Sequence, residues 1–166
     1  MRTFLEIGHV EYTAEQRRRF ASDELRKAWF RVYPQLFDED DLRRASNRSR
    51  PYFFCEWLGA ILLHSSTGYS ALVTKYQQDT PKRSLLPRIL PPKVVALLED
   101  RTAFGKTQGP DLLMYHPSFT DWCFCECKGP GDALSEKQNA HFASLVAASG
   151  RPIRLLRFRL LSAPKA

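Results

Sequence analysis

GPDLLMYHPSFTDWCFCECKGPGDALSEKQ, Gly109–Gln138, is the stretch on which the reading of the fold turns. DLLMY and WCFCECK within it predict two neighbouring strands. Side chains alternate along a strand. Cys123, Cys125 and Cys127 therefore share one face, and Trp122, Phe124, Glu126 and Lys128 the other. Thiols so spaced lie in a line over about 13 Å. A structural zinc ion wants four ligands, usually from paired cysteine hooks, and no Cys or His hook elsewhere completes such a site. Core thiols are the better reading. On the other face Glu126 and Lys128 are neighbours, roughly 6–7 Å apart at the backbone. Asp111 opens the preceding strand, 15 residues before Glu126, which is enough for a strand, a turn and a return. Antiparallel pairing then sets two carboxylates side by side. Carboxylates and water form a hard oxygen site suited to Mg²⁺ or Mn²⁺. A lysine beside that ion holds a water or offsets charge developing on a phosphate. The bland alternative is a surface Glu–Lys pair beside a Pro-Asp turn.

Outward from this stretch the chain alternates helix and strand. Ser135 starts a helix that Gly150 ends, and PIRLLRFRL is a last strand. Upstream, PYFFCEWLGAILLHS reads as a helix from Pro51 to about Ser65, apolar nearly all round and so buried on most sides. Glu56 is its one ionised residue. Gly68 caps it, and a strand is expected through Tyr76. Pro-rich, basic sequence follows around residues 77–92, then a short helix from Pro92. The N-terminal part carries a capping-box helix from Thr13, with Phe20, Leu25, Trp29 and Val32 on one face and Pro34 at its end. The acidic run Asp38–Asp41 reads as a solvated helix start rather than a ligand set. This order predicts an α/β fold: a mixed central sheet flanked by helices, helix-strand-strand-strand-helix-strand from residue 51 onward. Residues 1–50 are expected to form an N-terminal helical extension, and 51–166 the core, with the basic insertion around 77–92.

The chain has 166 residues, 43% hydrophobic and 12% aromatic, enough for a packed core and against disorder. A net charge of +7 and a pI near 9.4 suggest a polyanionic partner. The N-terminus has no apolar run of signal-peptide length, and Leu58–Leu63, the longest apolar run, is too short to span a membrane. A soluble protein made in the cytoplasm with free thiols is expected. Delivery into a target cell by a signal-peptide-independent route stays open.

The motifs of Gly109–Gln138 resemble those of the virus-type replication-repair nuclease domain, VRR-NUC. That family is a branch of the PD-(D/E)XK nucleases and includes the nuclease domain of the Fanconi-associated nuclease. The resemblance covers roughly Pro51 to Phe158. Pro110-Asp111 matches the family's Pro-Asp, Glu126-Cys127-Lys128-Gly129 its Glu-x-Lys-Gly, and Gly131, Asp132, Leu134, Ser135 and Gln138 its following tail. Gly109 directly precedes Pro110, where many members carry an intervening residue. The resemblance implies a restriction-endonuclease-like core and metal ligation by Asp111, Glu126 and the Cys127 backbone carbonyl. It also implies that Lys128 positions or activates the attacking water, that Glu56 supports the metal, and that Gln138 reaches back from its helix. Rival readings stand beside these. Ser135 and Gln138 form a capping-box pattern, Glu56 is alternatively a buried acid paired with an arginine, and Asp132 reads as a turn residue.

Around the site, Lys75, Lys82, Arg83, Lys106, Arg157 and Arg159 are candidate nucleic-acid contacts, and Arg43, Arg44, Arg48 and Arg50 flank the second helix. Gly105-Lys106-Thr107 lacks the glycine loop of a phosphate-binding P-loop. The reading is a Mg²⁺- or Mn²⁺-dependent DNA endonuclease. Two settings are expected: a phage or repair enzyme acting on branched DNA, or an antibacterial toxin effector with a cognate immunity protein. The alternative is a non-catalytic nucleic-acid-binding module.

Overall fold

The structure, a computed structural model, describes residues 2–46, 53–78, 80–100 and 109–162. Among them five strands form one mixed sheet in the order β1-β5-β4-β3-β2. The strands are β1 (Phe4–Tyr12), β2 (Ser70–Leu72), β3 (Leu112–Tyr115), β4 (Trp122–Lys128) and β5 (Ile153–Leu160). β2–β3 and β3–β4 are antiparallel, while β4–β5 and β5–β1 are parallel. Parallel neighbours need a crossover, and α7 (Glu136–Ser149) supplies it between β4 and β5. The fold is the mixed α/β sheet flanked by helices that the sequence predicts.

The alternation along β4 sets up the two layers. Cys123, Cys125 and Cys127 enter one core with Leu156 and Phe158 of β5. On that face lie α1 (Ala14–Ala21), α2 (Glu24–Val32), α3 (Glu39–Ser46) and α4 (Phe54–Thr67), which contribute Phe20, Trp29, Ala45 and Trp57. Trp122 and Phe124 point the other way, into a core with Phe142 and Leu145 of α7. All four cysteines are free thiols. Burial accounts for the choice of cysteine: α4 approaches β4 so closely that a Cβ at Gly59 would stand 3.0 Å from the Cys127 sulfur. Glu56 lies one helical turn before this contact, so the close approach sets its position at the end of β4.

Several expectations change. The N-terminal extension is not wholly helical: Phe4–Tyr12 form a strand paired along its length with β5. Its side chains are mostly exposed, so it is held by the ladder more than by burial and left only a faint pattern. The expected Thr13–Val32 helix is two helices, broken where Asp23 adopts a left-handed φ of 69°. The break shifts the buried face, and Val32 ends 64% exposed. The strand expected through Tyr76 stops at Leu72, because Thr74 and Lys75 take φ values of 55° and 60°. The insertion carries a 3₁₀ turn (Pro81–Leu85) and α5 (Leu86–Ile89), and the helix expected from Pro92 is α6 (Pro92–Glu99); together they bury Leu86, Ile89 and Val94 on the α7 side. Asp38 and Asp41 exchange backbone-to-carboxylate hydrogen bonds of 2.9 Å at the α3 start. Asp41 is nevertheless not solvated but buried, bound to Lys82. Arg48, Arg50, Pro51, Gly105 and Lys106 lie outside the described residues.

Candidate active site

The β3–β4 register builds the site. Leu112 pairs with Cys125 across the antiparallel ladder, so Asp111, one residue earlier, meets Glu126, one residue later. The Asp111 backbone N–H donates to Glu126 Oε2 at 3.2 Å, and the Cys127 N–H donates to Asp111 Oδ2 at 2.8 Å. Each carboxylate is thus fixed by the other's strand. The Pro-Asp turn is held from below by Tyr76, whose buried hydroxyl donates to the Pro110 carbonyl at 2.9 Å. Gly109 is tightly packed: an added Cβ would come within 2.8 Å of the end of the Leu98 side chain, which would have to shift.

Lys128, two residues past Glu126, returns to it with Nζ 2.7 Å from Oε1. Gln138 makes both contacts that its sequence allowed. Its backbone N–H donates to Ser135 Oγ and its Oε1 accepts from the Ser135 N–H, both at 3.1 Å. The remaining amide nitrogen reaches Glu126 Oε1 at 3.3 Å. One side chain closes the start of α7 and touches the carboxylate.

These groups line a cavity of about 480 Å³ together with Glu56 from the first turn of α4. Among the described residues Glu56 has no arginine partner; Arg48, Arg50 and Arg101 lie outside them. Burial pushes its carboxyl well above the ordinary range, and the neighbouring Asp111 and Glu126 charges add to the shift, with Lys75 partly offsetting them. Burial, then the Glu126 charge, pushes Asp111 well up. Glu126 is raised by burial against the pull of Lys128. A carboxyl cluster shifted upward in this way is short of positive charge. Its donors are all oxygens, which fits a hard divalent cation. Among the described residues no group of three His, Cys, Asp or Glu side chains converges tightly enough to hold an ion by itself. A bound cation would therefore rely on the Asp111–Glu126 pair plus a backbone oxygen, Glu56 or water.

The basic candidates divide. Lys75 lies beside Glu56 and Asp111 in a small adjoining cavity with Gln77. Gln77 is buried, and its Oε1 has no hydrogen-bond partner among the described residues; no signal in the sequence pointed to it. Lys82 does not face a ligand, because it is 9% exposed and its ammonium is bound to Asp41. Arg83 pairs with Glu99 at 3.0 Å. Arg157 pairs with Glu6 at 3.2 Å and Arg159 with Glu11, so β1 supplies an acid to both of these arginines. Asp132 accepts the Gly129 N–H at 3.0 Å, which is the turn role expected of it.

No protein-family model matches the chain, and no curated protein matches its sequence. Among solved structures it is similar to paFAN1 bound to 2nt 5′ flap DNA with gap, at 16% identity and a TM-score of 0.35. It is also similar to paFAN1 bound to 1nt 5′ flap DNA with gap, at 19% identity and a TM-score of 0.34. Each match covers 87% of this chain, which spans 22% of the length of those structures.

Proposed function

We propose that this chain is a divalent-metal-dependent DNA endonuclease that hydrolyses phosphodiesters. The observation that carries the reading is the meeting of Asp111, Glu126 and Lys128 in one cavity, from three sequence positions whose motif resembles that of the VRR-NUC family. The oxygen donor set suits Mg²⁺ or Mn²⁺. Asp111, Glu126, the Cys127 backbone carbonyl and Glu56 are the residues that would hold the ion. When bound, such an ion polarises a phosphoryl oxygen and makes a water molecule acidic enough to attack.

The chain's own residues do the rest. The ladder contacts fix Asp111 and Glu126 before substrate arrives, so no reorganisation is needed during the reaction. Gln138 fixes the orientation of Glu126 by occupying one oxygen. Lys128 carries three N–H donors. One is engaged by Glu126, and the others are free to orient a water and to offset charge on a phosphate oxygen. The surplus of 25 basic over 18 acidic residues favours a polyanion. A phage or repair enzyme should prefer flaps or junctions over plain duplex, whereas an antibacterial effector should kill a host that expresses it without its immunity protein. Duplex, flap and four-way-junction DNA should be incubated side by side with Mg²⁺, Mn²⁺ or EDTA. Cleavage with either metal and none in EDTA is expected. Tight binding without cleavage in any divalent metal would refute hydrolysis and leave a binding module.

A further inference from the structure

Arg17, Arg18 and Arg19 are consecutive in α1, yet they are used differently. Arg18 is bound to Glu15 at 2.5 Å and Arg19 to Glu24 at 2.7 Å. The Arg17 side chain has no hydrogen bond or ion pair among the described residues. It lines the cavity that holds Asp111, Glu126 and Lys128.

The chain brings it there by a short route. β1 runs parallel to β5 and ends with Tyr12 opposite Leu160. Tyr12 and Leu160 also line the cavity. Thr13 then turns the chain into α1 through a reciprocal cap with Gln16. Arg17 follows Thr13 by four residues, one helical turn, and so sits over that same end of the sheet. The N-terminal unit therefore forms a wall of the cavity that sequence motifs placed wholly in the later core. The charged groups facing it are Lys128, the carboxylates of Glu56, Asp111 and Glu126, and Asp132. The Asp132 carboxylate already accepts the Gly129 N–H.

We propose that Arg17 is a substrate-binding residue whose guanidinium takes a phosphate of the nucleic-acid strand lying in the cavity. The proposal rests on the nucleic-acid reading of the site. An exposed arginine without an acid partner keeps all its donors for a ligand. Its planar fork fits two phosphate oxygens at once, which an ammonium cannot match. Placement on the wall beside the carboxylates and Lys128 suits a phosphate held while its neighbour is cut.

The test is DNA binding by the full chain in EDTA, where cleavage cannot intervene, read by fluorescence anisotropy over a salt series. Arg17→Ala should weaken binding roughly tenfold or more, the scale of one charge-assisted hydrogen bond. It should also reduce the slope of log K against log salt by about 0.9. Arg17→Lys should recover the slope and only part of the affinity. Arg18→Ala, which removes an arginine already paired outside the cavity, should bind within about twofold of wild type. Unchanged affinity and slope in both Arg17→Ala and Arg17→Gln would overturn the proposal, as would a wild-type protein that binds no DNA. DNA bound through Arg17 but never cut with Mg²⁺ or Mn²⁺ would support the phosphate contact while removing the hydrolysis reading. Metal-dependent cutting with no loss on Arg17 substitution would do the reverse.

Discussion

Asp111→Asn should make the metal-free protein more stable while ending its response to divalent ions. Asparagine keeps an oxygen for the Cys127 N–H that Asp111 Oδ2 accepts at 2.8 Å. It removes the charge that burial and Glu126 penalise. Each unit by which folding raises a carboxyl's pKa costs about 1.4 kcal/mol above that pKa. Buried acids beside a like charge shift by one to a few units. Asp111 keeps part of its surface in the cavity mouth, where water screens it, so a gain of about 1–3 kcal/mol is expected at neutral to alkaline pH. For a chain of this size that corresponds to roughly 2–10 °C in Tm. The sign depends on pH. A raised carboxyl pKa means that the folded state holds a proton the unfolded chain releases. The wild-type penalty is therefore absent below the unfolded value and grows as pH rises towards the folded one. The advantage of Asp111→Asn should shrink as pH falls towards the ordinary carboxylate range. The assay is thermal melting in EDTA across pH, repeated with Mg²⁺ or Mn²⁺. Wild type should gain about 3 kcal/mol from a cation at a hundredfold its Kd, and the variant much less. A variant less stable than wild type in EDTA at alkaline pH, or one with a full cation response, would refute the reasoning.

Three other outcomes are expected. Ser135→Ala should cost about 1 kcal/mol by uncapping α7 with little change in kcat. Gln138→Ala should cost similar stability and lower kcat roughly tenfold, because Gln138, unlike Ser135, touches Glu126; paired melting and kinetics check this. Burial raises the Asp41 carboxyl from 3.8 to about 6 against the pull of Lys82. Its contribution to stability is therefore full below the unfolded value and lost as pH rises towards 6, and urea titrations should show that fall absent in Asp41→Asn. Gly109→Ala drives a methyl against Leu98 and should cost about 1–3 kcal/mol, with Leu98→Val in the same chain recovering part of it in a double-mutant cycle.

The parts of the fold legible in sequence were those fixed by local chemistry. Ser135 and Gly150 bound α7 where their capping chemistry places them. The alternation of WCFCECK sorted β4's side chains onto its two faces, and the 15-residue separation was enough to set Asp111 against Glu126. What was hidden depends on partners distant in the chain. β1 has few buried side chains and exists because β5 offers it a ladder. Lys82 looked like one more solvated cation until Asp41 was folded over it. Tyr76 and Gln77 carry no motif, and reach the site through two left-handed residues that ended the expected strand early. Arg17 belongs to a basic run whose members differ only in which acids the fold brings near.

The most direct measurement is nicking of supercoiled plasmid by the folded wild-type chain with Mg²⁺ or Mn²⁺, against Asp111→Ala, Glu126→Ala and Lys128→Ala proteins whose folding is verified by circular dichroism. Expected are nicked and linear products from wild type, none in EDTA, and none above background from the three variants. Undiminished nicking in EDTA, or full activity in all three variants, would contradict a metal-dependent nuclease centred on Asp111, Glu126 and Lys128.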